Sequence, residues 1–288
     1  MGNCYVTKLN SVVDNDNLEK FDTIKIAVSQ QELNASGQQQ CIIIRTITGG
    51  AITLYVESNS NGYFVEDNYA DLSDPSKHKK TIDISSTSNK YIWIANDNYN
   101  LYINGKSKLT KISCRGPYGY YSLLSGFDES LMGCNNLNVF DIAGRRDNFD
   151  TSVLPDNIKS VNLDYAQISL NISDFSRLSN LENLSLQQSY INGQITDIAN
   201  LINLTSLNIA GPHTHVTGSI EGFVEALISN GKTSGTLTFN QRDSTGLITL
   251  NNIAGIASLS ITISGITASV SQDGNIVASY DGSTWTYA

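Results

Sequence analysis

Three histidines, four cysteines and a background rich in Ser, Thr and Asn are the chemical resources of this 288-residue chain. His213-Thr214-His215 comes nearest to a site. Alternation along an extended segment sets those two imidazoles on one side, as the start of a zinc ligand set would require. No third ligand stands close in sequence, His78 is remote, and the pair falls in what reads as an exposed loop insertion. The Asp14–Asn17 run (DNDN) offers oxygen ligands without the spacing or the terminal Glu of a calcium loop. Neither GxSxG nor HExxH occurs, and no Gly-rich phosphate loop follows a strand. Cys4, Cys41, Cys114 and Cys134 are too irregularly spaced for a disulfide framework; they read as buried thiols, with a Cys41–Cys114 bridge left open. The N-x-S/T matches at Asn34, Asn171, Asn183 and Asn203 follow from composition alone. No catalytic residue, cofactor or metal is expected, so the chain reads as a non-enzyme.

What remains is a surface. A unit of 23 residues begins at Ile158, again at Leu181 and again at Leu204. Val161/Leu184/Leu207 and Leu163/Leu186/Ile209 coincide in the copies and alternate with polar residues, as in half-buried strands. The outward positions are Ser160, Asn162 and Asp164; Asn183, Ser185 and Gln187; Ser206, Asn208 and Ala210, with Tyr165 and Gln188 following. This ladder is short, polar and nearly uncharged. Its candidate binding residues are Asn162, Asp164, Tyr165, Ser185, Gln187, Gln188 and Asn208. Their amides and hydroxyls would bond a glycan or a protein, and Tyr165 would stack. The competing expectation is a solvated face, or one covered by another copy of the chain.

The elements that must carry this face follow from the repeat. One copy cannot bury its own apolar edge, so copies stack into a continuous core. LNVFDIAG from Leu137 reads as a shorter copy, with SGTLTFNQ and SLSITISG as irregular ones downstream. Val216, Gly218 and Ile220 stand two places later than Ile191, Gly193 and Ile195 predict, which suggests an insertion around GPHTH. Ala166 and Ser189 occupy the place where an Asn commonly bonds the turn backbone, which predicts a looser, shorter-stranded coil. Cys134 falls where Leu178 and Leu201 fall in later copies, a core position.

The expected fold class is mixed β and α/β: an antiparallel β-sandwich, then an irregular leucine-rich-repeat solenoid, then a β-meander. Residues 1–20 form a polar arm. Residues 21–115 hold six or more short strands separated by Gly49-Gly50, Asn61-Gly62 and Asn104-Gly105 turns. Residues 116–265 are the solenoid, capped at its start by an amphipathic helix over SLLSGFDESLMGCNN. Residues 266–288 are the meander, with hairpin signals at Asp273-Gly274 and Asp281-Gly282.

Charge narrows the partners. The net charge is −9, only 16% of residues are charged, and no basic cluster exists, so neither nucleic acid nor an anionic membrane is expected as a partner. The first residues lack the apolar core of a secretory signal, and no run approaches a membrane span.

Two resemblances complete the reading. The repeats, with VLPDNIKSVNL at Val153–Leu163, resemble BspA-like leucine-rich repeats of Bacteroidetes surface proteins. The opening YVTKLNSVVDNDNLEKFDTIKI and the tail IVASYDGSTWTYA resemble virion-associated proteins of crAss-like and related Bacteroides phages. The second resemblance implies a virion structural protein, made in the host bacterial cytoplasm and displayed on the capsid as a head fibre or decoration. Its implied partners are capsid or other virion proteins, further copies of itself in a dimer or trimer, and a glycan or host surface. The alternative is a Bacteroidetes cell-surface adhesin binding protein or glycan, whose gene would encode a signal upstream of Met1. Neither family supplies a motif that assigns residue roles.

Overall fold

The computed structural model describes residues 23–28, 40–46, 52–58, 63–66, 79–84, 90–95, 99–115, 124–125, 131, 133–144, 149–166, 169–244, 248–251, 253 and 256–288. The arm expected over 1–20 lies outside them. Runs rich in Ile, Tyr, Val and Thr form β1 (Thr23–Val28), β2 (Gln40–Thr46), β3 (Ile52–Ser58), β4 (Tyr63–Glu66), β5 (Lys79–Ile84), β6 (Lys90–Ala95), β7 (Tyr99–Asn104) and β8 (Leu109–Arg115). With β9 (Leu124–Ser125), the order β5-β3-β7-β1-β9 makes a five-stranded antiparallel sheet. Within the segment expected as a capping helix, Leu124–Ser125 are strand instead, while 122–123, 126–130 and 132 lie outside the described residues. Leu124 and Ser125 pair with Val28 and Ala27 of β1, and Gly133 at φ 89 sits in a turn. The β2–β8 register sets Cys114 opposite Ile42 and Cys41 opposite Arg115, so the two cysteines are not cross-strand partners.

The second part of the chain supplies β10 (Val139–Ile142), β11 (Ser160–Asn162), β12 (Leu170–Asn171), β13 (Asn183–Ser185), β14 (Ile191–Gln194), β15 (Ser206–Asn208) and β16 (Thr214–Ser219). Helix α1 (Ile220–Ser229) comes next, then β17 (Ser234–Asn240), β18 (Ile248–Thr249), β19 (Ser258–Ser264), β20 (Thr267–Gln272), β21 (Asn275–Tyr280) and β22 (Trp285–Tyr287). The described residues thus form a mostly β structure with one α-helix. Its main sheet is mixed and has 13 strands, ordered β22-β21-β20-β19-β17-β15-β13-β11-β10-β8-β2-β6-β4. Strands β8, β10, β11, β13, β15 and β17 run parallel, and β8 also pairs antiparallel with β2, so one sheet passes through residue 115.

The repeat fixes the register of the parallel strands. Phe140, Val161, Leu184, Leu207 and Phe239 stand side by side, each at most 1% exposed. Burying each such side chain is worth about 1.5–3 kcal/mol, so a one-residue slip, which turns the whole row outward, is strongly disfavoured. Cys134 is fully buried, and its carbonyl accepts from Leu137 as Leu178 accepts from Leu181 and Leu201 from Leu204. The expected core role holds.

A narrower parallel sheet, β12-β14-β16-β18, closes the opposite side. It corrects the insertion expected around GPHTH. Ile191 pairs with Thr214 and Gln194 with Thr217, so the 23-residue register continues through this segment. The extra length lies at the end of β16, which has 6 residues against 4 in β14, and it delays the following helix. The return paths are 3-10 turns at Ile172–Phe175 and Ile195–Ile198, then α1 in the third copy, whose N-cap Ser219 hydroxyl accepts from Gly222 N at 3.0 Å.

SLSITISG is not a further parallel copy: β19 pairs antiparallel with β17 over seven residues, from Ser234↔Ser264 to Asn240↔Ser258. Strand β22 is tied back to α1, the Trp285 indole N–H donating to Glu225 at 2.8 Å and the Tyr287 hydroxyl to Glu221 at 3.0 Å.

Candidate functional site

The strand positions facing away from the core line up across the main sheet. Ser113, Asp141, Asn162, Ser185, Asn208, Asn240 and Ser258 are successive partners in one row, buried at Ser113 and Asp141 and half-buried from Asn162 onward. Ser160, Asn183, Ser206, Thr238, Ser260 and Ser271 form the neighbouring row. Small polar side chains at a strand separation of about 4.8 Å can bond one another, and they do. Ser113 Oγ donates to Asp141 at 2.8 Å, Asn208 Nδ2 to Ser185 Oγ at 3.2 Å, and Ser258 Oγ to Asn240 Oδ1 at 3.3 Å.

Three of the asparagines also shape the strand ends. Asn162, Asn208 and Asn240 each accept, through Oδ1, from the backbone N–H two residues on: Asp164, Ala210 and Arg242. These Asx turns lead into a column of left-handed residues: Gly144 (φ 79), Tyr165 (φ 60), Gln188 (φ 60), Gly211 (φ 113) and Asp243 (φ 59). In four of them the amide donates to the next copy's carbonyl, from Gly144 to Asp164, Tyr165 to Gln187, Gln188 to Ala210 and Gly211 to Arg242. Tyr165 and Gln188, expected as contact residues, are therefore first of all the residues that turn the chain. Left-handed backbone costs a non-glycine about 1–2 kcal/mol.

Asp164 is half-buried, and its Oδ1 accepts from Ser185 Oγ at 2.6 Å and from Gln187 N at 2.7 Å. Burial raises its pKa, the two bonds oppose this, and the Asp141 carboxylate adds to the rise. Gln187 Oε1 accepts from Asn208 Nδ2 at 3.3 Å. Asn162, Asp164, Ser185, Gln187 and Asn208 thus share one continuous face, and the Tyr165 and Gln188 turns border it. A looser, shorter-stranded coil is expected from Ala166 and Ser189; Ala166 contributes only its backbone here, whereas Ser189 bonds across the turns. Its side chain is fully buried, and its hydroxyl donates to Leu163 O at 2.6 Å and accepts from Ala166 N at 3.2 Å.

The face deepens toward its C-terminal end. A groove of about 630 Å³ lies over β15, β17 and β19, walled by Ser271 and the Asp273-Gly274 turn. Its floor carries Ser206, Asn208, Thr238, Asn240, Ser258 and Ser260, while the side chains of Leu207, Phe239 and Leu259 are buried beneath. A register shift between Val270 and Ser271 bends β20 at the wall. Of these residues only Asn208 is among the expected binding set. Asp273-Gly274 was legible as a hairpin, but which strands it overhangs depends on the antiparallel return of β19. His213, half of the histidine pair, stacks on Tyr190 with ring centroids 4.6 Å apart, and His215 is exposed on β16. Among the described residues no three His, Cys, Asp or Glu side chains are gathered as a metal site.

No family model matches this chain, and no curated protein matches it.

Proposed function

We propose that this chain is a non-enzymatic structural protein displayed on a bacteriophage capsid, as a head fibre or decoration. In this reading an N-terminal β-sandwich carries a leucine-rich-repeat solenoid, and the antiparallel strands from β19 onward close its far end. The repeat of 23 residues, its in-register parallel strands and its continuous apolar stack support the solenoid. The observation that carries the functional reading is the outward face. From β13 to β19 it is a row of short, uncharged side chains bonded to one another, which suits contact rather than catalysis. The resemblance of both chain ends to virion-associated proteins of Bacteroides phages points that contact at capsid proteins and further copies of the chain. The groove favours a second reading, a Bacteroidetes cell-surface adhesin that takes a glycan.

Molar mass by light scattering across a concentration series separates the two. A dimer or trimer that persists on dilution is the expected result, and cross-linking would then map the interface. A strict monomer at every concentration would count against the appendage and favour the adhesin.

A further inference from the structure

We infer that the groove over β15, β17 and β19 is a binding site for a neutral saccharide. The inference deepens the reading of the outward face as a contact surface and rests on it.

The lining decides the ligand class. Its side chains are hydroxyls and amides, with the single carboxylate of Asp273 and no Lys or Arg. A phosphate, sulfate or acidic sugar would find no cation there, and the chain's net charge of −9 adds repulsion. The apolar residues of the floor are buried beneath it, so an apolar ligand gains nothing. An extended peptide has no edge to pair with, because β15, β17 and β19 each have a neighbour on both sides. A ligand carrying many hydroxyls and no charge fits what remains.

The polar groups of the groove are preset rather than saturated. Asn240 Oδ1 accepts from Arg242 N and Ser258 Oγ, which fixes the amide plane; no described residue bonds the Asn240 NH2. The hydroxyls of Ser206 and Ser260 likewise have no partner among the described residues, and each can donate and accept. Asp273, at φ 50 in the turn, adds an acceptor at the wall. A donor amide, two two-way hydroxyls and a carboxylate acceptor match vicinal sugar hydroxyls. Groups already held by neighbours lose little freedom on binding. The volume of about 630 Å³ suits a short oligosaccharide running along the open groove.

The test is an array of neutral hexose and N-acetylhexosamine oligosaccharides with sulfated and sialylated counterparts, followed by calorimetry on the best neutral member. Asn240→Ala and Ser260→Phe, the second filling the groove, should each weaken binding about tenfold or more. Asn183→Ala, on the same face at β13, should leave it unchanged. Circular dichroism checks that all three variants fold. Retention of no neutral sugar, a preference for the sulfated series, or binding that survives Ser260→Phe would each overturn the inference. Immunolabelling of purified virions separates the two readings. A chain present on particles that binds no neutral sugar removes the saccharide site and leaves display standing. Neutral-sugar binding by a chain absent from particles does the reverse.

Discussion

Asp164 is where residue chemistry on the outward face is most exposed to test. Its carboxylate is held by Ser185 and Gln187, yet burial beside Asp141 still raises its pKa above the ordinary 3.8. The folded state therefore binds this proton more tightly than the unfolded chain does. The associated stability is fully present below pH 3.8 and is lost as pH rises through the folded pKa. Asp164→Asn keeps an oxygen for both donors and removes the charge. Its stability relative to the parent, from urea unfolding at several pH values, should increase as pH rises above 3.8. A difference that stays flat with pH would assign the raised pKa no role in folding. Tyr165 and Gln188 add a second residue-scale feature, since each holds a left-handed turn that glycine holds at 144 and 211.

The 23-residue repeat is the element that sets the geometry, and its turn column carries the sharpest local constraint. Gly211 has φ 113, and a Cβ there would stand 2.8 Å from Gln188 Cδ and 3.0 Å from the Gln188 backbone N and Cα. Gly211→Ala combines left-handed strain with a clash against backbone that cannot move aside. It should cost about 2 kcal/mol or more, read as a lower thermal midpoint, and Gly231→Ala provides a comparison without the clash. At Gly231 a Cβ meets nothing within 4 Å although φ is 100, so only strain remains there. Equal losses at both sites would mean that the close approach of adjacent turns does not matter. On the opposite side β12, β14 and β16 lengthen from 2 to 4 to 6 residues, and the last copy exchanges its 3-10 turn for α1.

Across the whole molecule the main sheet changes from parallel to antiparallel between β17 and β19. Leu259, Ile261 and Ile263 of β19 are buried, as are Leu237 and Phe239 of β17. Removing residues 258–288 would strip seven backbone pairings from β17 and leave a long apolar edge. The truncated chain should self-associate in light scattering and lose a cooperative unfolding transition. A monomeric product that still unfolds cooperatively would show the antiparallel strands to be an appendix to the fold. Fixing β22 to α1 through Glu225 and Glu221 shields the short terminal strand in the intact chain.

The sequence by itself determined the periodic core. Apolar residues at Val161, Leu184 and Leu207 recur at the repeat length, and only side-by-side strands can bury them together. It also determined the polar character of the opposite face, because strand alternation assigns every second residue there. Only the tertiary structure decided where that face becomes a site. Strand β19 could have continued the parallel run, and its alternation is equally compatible with an antiparallel return. The choice lies in long-range backbone pairing, which leaves no local periodicity to read. Ser189 shows the same limit at one residue: its hydroxyl bridges two turns 23 positions apart, a contact that exists only once adjacent strands have paired.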